Sequence, residues 1–402
     1  MTDMLVVATP LPYSSAMHAS RDPTEDHRSL FSLPPGALYL NTASDGPRLH
    51  AVLQAARDAI NHSTMPWRLD MAGWTARIER VRTLASRLFD GDAGGVALVP
   101  SAGYGLSTAA RNVPLWPGQA VLVLEGQFPS NLLPWQRRCR EVGAQLVAVP
   151  RIPGIDWTEA VLATLHRNKD IRILALPHAY WHDGALLDLD RISEAARERG
   201  ASLVLDLSQS LGVLPADVAR WQPEFAVAVG HKWLLGGSGL AYLWAAPQWR
   251  AEGEPLEQNW IARTGRDDWR FPPDAPPPYL DGARRYDAGG VADPLRLAMA
   301  EAALAQVLSW QALPLSEALG KRTAALRTAL DNRGLGDWLA DGHAPHLCGV
   351  RPPGDRLAAV AGVLEEAGVI VTVRHGLVRI APHLHVEARD MVRVADLMAR
   401  AA

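Results

Sequence analysis

At 402 residues with 48% hydrophobic composition, the chain is long enough for one large domain and a smaller one, each around its own core. Its 40 Lys plus Arg stand against 43 Asp plus Glu for a formal charge of −3, which excludes the strongly basic signature of nucleic-acid or anionic-membrane binding and points to small-molecule partners. Cys139 and Cys348 are the only cysteines, too few for a disulfide framework and in no CxxC or Cys/His cluster, as suits a reducing compartment.

At the start of the chain, Met1 to Pro12 has Asp3 where a signal peptide carries Lys or Arg, and Pro10 and Pro12 break its apolar run. No segment approaches ~20 apolar residues, so a cytoplasmic protein that neither leaves the cell nor spans a membrane is expected. Between residues 95 and 246 seven short β-rich runs recur: 96–100 VALVP, 120–124 AVLVL, 145–149 QLVAV, 171–176 IRILAL, 201–207 ASLVLDL, 225–229 FAVAV and 240–244 LAYLW. Segments between them, such as 129–142 PSNLLPWQRRCREV and 188–199 DLDRISEAARER, space their apolar residues by three and four. The first five runs therefore predict βα units of a largely parallel sheet covered on both faces. In this α/β class, ligands sit at the carboxyl ends of the strands. From 271 to 290, FPPDAPPPYLDGARRYDAGG holds five prolines and three glycines, the composition of an extended loop at a domain boundary. Beyond it the pattern predicts helices over about 294–310, 315–331 and 355–367, strands over 369–373 and 377–381, and a last helix from about 387.

Two strand ends carry the clearest chemistry. The run 201–207 leads into 206–212 DLSQSLG, and about two dozen residues on another strand leads into 230–239 GHKWLLGGSG. Lys232, beside the apolar Trp233 and Leu234, is placed to have its ammonium pKa lowered and to act as an amine nucleophile toward an aldehyde. Asp206, on a neighbouring strand tip, suits a protonated pyridine nitrogen, the pairing that makes pyridoxal 5'-phosphate (PLP) an electron sink. Taken singly, a strand-end Asp reads as a turn or cap residue and a lone Lys as a solvated charge; the pair and its spacing carry the functional reading.

DLSQSLG followed by HKWLLGGSG closely resembles the D-x-x-Q-S-x-G and H-K-W-L motifs of the class V, fold-type I PLP enzymes, the superfamily of kynureninase, isopenicillin N epimerase and cysteine desulfurase. The resemblance runs from 39–47 YLNTASDGP through 100–105 PSAGYG, 126–135 GQFPSNLLPW, 181–188 WHDGALLD and 284–290 RRYDAGG to 378–383 VRIAPH. It implies a fold-type I PLP-dependent transferase: a seven-stranded, mainly parallel sheet in a large PLP-binding domain over 46–275, and a smaller α+β domain. An N-terminal segment, 1–45, would pack with that small domain, and 276–402 would comprise an inter-subunit loop followed by the small domain itself. It further implies a homodimer with shared active sites acting on a small amino-acid substrate.

Carried over by residue, the resemblance makes Lys232 the Schiff-base lysine and Asp206 the partner of the pyridine nitrogen. Gln209 would sit beside the phenolic oxygen, and Phe128 would stack on the ring. His231 shares the phosphate pocket with Ser101, Ala102 and Gly103, at the turn opening a helix over about 104–112 whose free N–H groups hold an anion. Gly290 would reach the partner subunit's phosphate through its backbone. Asn41 and Arg379 hold the substrate, Arg379 as a planar grip on the α-carboxylate. Many relatives place Ser or Thr where Gly103, Gly230 and Gly290 stand, so phosphate binding shifts toward the backbone, with Ser101 or Ser238 as substitute hydroxyls.

Other signals are set aside at this level. Trp67, Trp74 and Trp181 fall where family loops approach the active-site mouth, but ordinary packing is the simpler reading. The His178/His182 and His383/His385 pairs lack the helical HExxH context of a metal site, so no metal is expected. The run 369–379, VIVTVRHGLVR, reaches Arg379 without a cysteine, and Cys348 reads as a core thiol on a strand, against a desulfurase. What remains is elimination, transamination or epimerisation at an amino acid. The kynureninase-like QFPSN and the epimerase-like short loop before Arg379 favour a lyase or related α-carbon chemistry on an unusual amino acid. An aminotransferase, an epimerase and a degenerate fold that binds PLP-like ligands without turnover stay as alternatives.

Overall fold

The computed structural model describes residues 27–401 except 69, 267, 268, 292, 340 and 341. Met1 to Pro12 and most of the 1–45 segment lie outside the described residues. Strand β1 is Leu38–Tyr39, followed by β2 Val96–Val99, β3 Ala120–Leu124, β4 Gln145–Val149, β5 Ile171–Pro177, β6 Ser202–Asp206, β7 Phe225–Val229 and β8 Ala241–Ala245. Strands β2 to β8, the seven runs of the sequence, form one sheet in the order β2-β8-β7-β6-β5-β3-β4. Only β8 runs antiparallel to its neighbours.

The strands are apolar throughout because both faces are covered. Leu98, Leu122, Leu174, Leu205 and Ala226 point into one core and Val99, Val121, Ile173, Val204 and Val227 into the other, with the period of two that the pleat imposes. Each Leu or Val so buried contributes about 1.5–3 kcal/mol. Helices Ala102–Asn112 and Leu133–Val142 cover one face; His50–Ser63, Met71–Ser86, Trp157–Arg167, Leu189–Glu198 and Pro294–Trp310 cover the other. Edge strand β4 keeps Gln145 and Ala148 exposed.

A third core gathers Leu38 and Leu40 with Leu326, Cys348, Leu364, Ile380, Met391 and Val394. Around it lie β9 Cys348–Val350, β10 Val369–Ile370, β11 Thr372–Arg374 and β12 Leu377–Ile380, with helices Ala312–Asp331, Leu357–Glu366 and Ala388–Ala399. The antiparallel sheet runs β11-β12-β9, while β10 pairs in parallel with β1. The single strand expected over 369–373 is thus two, because its first half pairs with residues 38–39 and its second with β12. Among the described residues no helix is long and apolar enough to cross a membrane.

The Pro-rich loop ends in a buried clamp. Arg82, fully buried on helix Met71–Ser86, pairs with the equally buried Asp287 at 2.6 Å, and its Nη1 also donates to Val96 O at 2.7 Å. Asp287 Oδ1 in turn accepts the Leu98 N–H at 2.8 Å. The loop end, helix and strand β2 are thereby tied together beside the sheet. Removing one partner leaves the other charge uncompensated in the core, so Arg82→Met is expected to destabilise the fold by about 3 kcal/mol or more. Adding Asp287→Asn, which keeps an acceptor for Leu98 while removing the charge, should restore part of the loss in urea unfolding monitored by tryptophan fluorescence.

Candidate active site

Strand ends and the small core converge on one cavity of about 320 Å³. At the end of β2, Ser101 has extended backbone and its hydroxyl accepts the Tyr104 N–H at 3.1 Å, starting helix Ala102–Asn112. The N–H groups of Ala102 and Gly103 lie ahead of the first helical bond and face outward from the helix end. At the end of β6, Asp206 accepts the Ser208 N–H on Oδ1 at 3.0 Å; among the described residues Oδ2 has no protein donor. Gln209 is held at both ends of its amide, with Nε2 donating to Ala43 O at 2.9 Å and Oε1 accepting from Trp233 Nε1 at 2.8 Å. An indole N–H only donates and a backbone carbonyl only accepts, so this amide has a single orientation. His346 Nε2 lies 2.6 Å from Gln209 O, which makes it the protonated nitrogen for the same reason.

Lys232 follows β7, and its Nζ sits 5.2 Å from the centroid of the Phe128 ring. Burial lowers its ammonium from 10.5 to about 8; Asp206 acts in the opposite sense and Arg379 adds to the fall. Its neighbour His231 is lowered by burial and then by the Lys232 charge. On the far wall, Arg379 of β12 donates to Trp181 O at 2.9 Å, to Ser44 Oγ at 2.6 Å and to Asn41 Oδ1 at 3.3 Å. Burial, followed by the nearby Arg374, brings its guanidinium down to about 10.

Of the residues singled out in the sequence, Ser101, Ala102, Phe128, Asp206, Gln209, His231, Lys232 and Arg379 all line this cavity. Asn41 stands behind it, bonded to Arg379. Gly103 lies in the first turn of the helix, where an added Cβ would come 3.7 Å from Ser130 Oγ and 3.8 Å from Ser101 Oγ. Gly290 is outside the cavity with nothing within 4 Å of an added Cβ, and Ser238 does not line it. Gly230 has no room for a hydroxyl-bearing side chain, since its Cβ would lie 2.9 Å from Leu240 O. Trp181 is part of the wall, edge-on to Phe128 at 5.6 Å, whereas Trp67 is 77% exposed and Trp74 stacks on Trp260. His178 packs on Trp221, and His182 bonds Arg374 O instead of sharing a site with it.

Ser130, Ser208 and Arg374 also line the cavity and were not among the candidates. The two serines sit inside the motifs QFPSN and DLSQS, so an inventory of motif hydroxyls would have found them. The signal for Arg374 is weaker: an arginine across a two-residue turn from the partner strand of Arg379.

The residues fit PLP. Among the described residues Ser208 Oγ, Asn131 Nδ2 and Arg379 Nε are buried polar atoms without a protein partner, all on lining residues, and such atoms call for a polar ligand. One easily neutralised amine, one carboxylate with an open oxygen, an aromatic face and a helix N-terminus flanked by hydroxyls match an aldehyde, a pyridine nitrogen, a ring and a phosphate in turn.

A mainly parallel seven-stranded sheet with this set at its carboxyl edge defines a fold-type I PLP-dependent enzyme. Residues 38–272 match the family model described as Aminotransferase class-V, and the chain belongs to that family. It is similar to an uncharacterized aminotransferase of Bacillus subtilis, 25% identical over 330 residues that cover 81% of this chain and 85% of that protein. It is also similar to a kynureninase of Deinococcus radiodurans, 29% identical over 295 residues, 71% and 69% of the two chains. A solved structure of a C-DES mutant with glycine covalently linked to the PLP cofactor superposes with a TM-score of 0.82 at 19% identity, covering 93% of this chain and 99% of that one.

Only a neutral amine attacks an aldehyde, so reactivity is low below the Lys232 pKa and levels off above it. With that pKa near 8, capture of PLP by the apoprotein, trapped by borohydride and mapped to a peptide, should rise through about pH 8. Asp206→Asn removes a group that raises the pKa and should move the midpoint lower.

Proposed function

We propose that the chain is a lyase-type PLP enzyme that breaks a bond to the side chain of a small α-amino acid, with Lys232 as the covalent anchor of the cofactor and the base at the α-carbon. The observation that carries this reading is the depressed Lys232 amine facing Arg379 across the cavity under the Phe128–Trp181 wall. Bound PLP supplies a sink for the electron pair of the bond broken at the α-carbon. Asp206, steadied by the Ser208 N–H, would hold a proton on the pyridine nitrogen. Gln209, its amide fixed by Ala43 and Trp233, would offer its open N–H to the phenolic oxygen, and Phe128 would cover the ring. Ser101, Ser130 and the N–H groups of Ala102 and Gly103 would hold the phosphate, with His231 beside it. Arg379 takes the α-carboxylate on the N–H groups left over from Trp181, Ser44 and Asn41, and Lys232 Nζ removes or returns the proton at Cα.

Neither cysteine reaches the chemistry. Cys139 and Cys348 are buried and line no part of the cavity, and burial pushes the Cys348 thiol up to about 12. Their burial supports a reaction that passes through no persulfide on the chain's own cysteines. The likeness to a kynureninase and the QFPSN segment support cleavage over transfer; the likeness to an aminotransferase keeps transamination as the second reading.

Lys232→Ala is expected to remove both the near-visible absorption band of the holoenzyme and turnover, and full activity in that variant overturns the assignment. Asp206→Ala should retain some cofactor yet lose more than about tenfold in rate, ~1.4 kcal/mol of barrier. Product release without any added 2-oxo acid distinguishes cleavage from transamination.

The family resemblance and the outward position of Gly290 also support a homodimer whose 276–290 loop completes the neighbouring site. Mixing Lys232→Ala protein with a loop-disrupted variant should then restore up to about a quarter of the wild-type sites by random pairing. Inactive hybrids, once sedimentation has shown that they form, would refute the shared site.

A further inference from the structure

Every charged group facing the cavity has a counterpart in this reading except one. Lys232 and Asp206 serve the cofactor, His231 its phosphate, and Arg379 an α-carboxylate. Arg374 is left over. It lines the cavity from the exposed end of β11, and among the described residues its guanidinium makes no ion pair and donates no hydrogen bond. Among the described residues Asp206 is the one carboxylate in the lining, and its charge acts on Lys232.

The hairpin fixes where Arg374 points. Thr372 pairs with Arg379 and Arg374 with Leu377, so Thr372, Arg374 and Arg379 share one face and Arg374 is the diagonal neighbour of Arg379, roughly 7–8 Å away. His375 and Gly376 join the strands with φ of 46° and 81°, the left-handed pair of a two-residue turn that locks the register. The tip is held from outside: His375 packs edge-on to His182 at 5.5 Å and to Trp181 at 6.4 Å, and His182 Nε2 bonds Arg374 O at 3.1 Å. Two guanidinium groups are thereby kept side by side although each disfavours the other, and an anion between or beyond them relieves the repulsion.

We infer that Arg374 receives a second acidic group carried on the side chain of the substrate, which makes the substrate class an α-amino acid with a distal carboxylate or an equivalent oxyanion. The inference rests on the cavity being the amino-acid site of a PLP enzyme. The holoenzyme is titrated with the matched pairs L-aspartate/L-asparagine and L-glutamate/L-glutamine, reading the shift of the cofactor band and, independently, calorimetric binding. At least one acid should bind about tenfold tighter than its amide at low salt, with the advantage shrinking as salt is added. Arg374→Gln should bring that ratio close to one, and Arg374→Lys should keep part of it. A preference in neither pair overturns the inference, as does an Arg374→Gln variant that weakens acid and amide by the same factor, since Arg374 would then serve the α-carboxylate. The two levels separate cleanly: a band that responds to amino acids without preferring acids sinks only the substrate class, whereas a protein that forms no band with PLP sinks the proposed function with it.

Discussion

An amine is a nucleophile only after it loses its proton, and the site is organised around making that loss easy at Lys232. Burial does most of it, bringing the ammonium to about 8, and Asp206 keeps the fall from going further. The balance has a structural cause. β7 delivers the lysine beside β6, so Asp206, the carboxylate proposed to meet a pyridine nitrogen, is also the counter-charge that acts on the amine. A sheet with these two strands apart would have to choose between a buried lysine too acidic to hold its charge and a carboxylate too distant to tune the ring. Parallel neighbours with both carboxyl ends on one edge supply both from a single register.

In the proposed reading, anion handling is divided between the two ends of the cavity by different physics. The end assigned to the phosphate offers backbone: a helix N-terminus, with the Ser101 hydroxyl accepting the Tyr104 N–H and leaving two N–H groups open. Ser130, whose hydroxyl lies against the position of Gly103, comes from the segment after β3 and would compensate for the missing side chain. Gly230 cannot compensate, since a larger residue would meet the Leu240 carbonyl. The end assigned to carboxylates would use guanidinium groups on a short antiparallel hairpin, where direction is set by strand register and not by a helix dipole. Cations of fixed geometry suit a group that must be oriented as well as bound.

How much of this the sequence disclosed follows from the range of each interaction. The seven strands were legible because two-sided burial makes each a short apolar run, and the motif residues were legible because each motif is local to one strand end. Helix Met71–Ser86 was not, and Arg82 shows why: a charged residue interrupts the apolar stripe of Ile78, Val81 and Ala85 and is satisfied by Asp287, 205 residues away. The split of the 369–373 strand has the same origin, as half of it pairs with residues near the start of the described chain. Ser130 was within reach of a reading of motif hydroxyls, whereas Arg374 enters the cavity only once β11 has paired with β12. Gly290 lies outside the cavity, and the role the motif suggests for it requires the second copy of the chain proposed above.

The segment linking the two ends of the cavity explains why the small core is needed for chemistry at the large sheet. Residues 38–40 are rooted in that core through β1, and six residues on, Gly46 donates its N–H to His231 O at 2.7 Å. A Cβ on Gly46 would stand 2.3 Å from the Lys232 carbonyl and 2.8 Å from Leu235 Cδ2, so the close approach requires glycine. Between these anchors the same segment contributes Asn41 and Ser44 to Arg379, and Ala43 O to Gln209. One run of nine residues therefore touches the lysine segment, the amide beside it and the carboxylate grip. Displacing the small core would move Arg379 and loosen Gln209 together, so in the proposed reading substrate binding and cofactor orientation are coupled through the side chains of Asn41 and Ser44 and the Ala43 carbonyl.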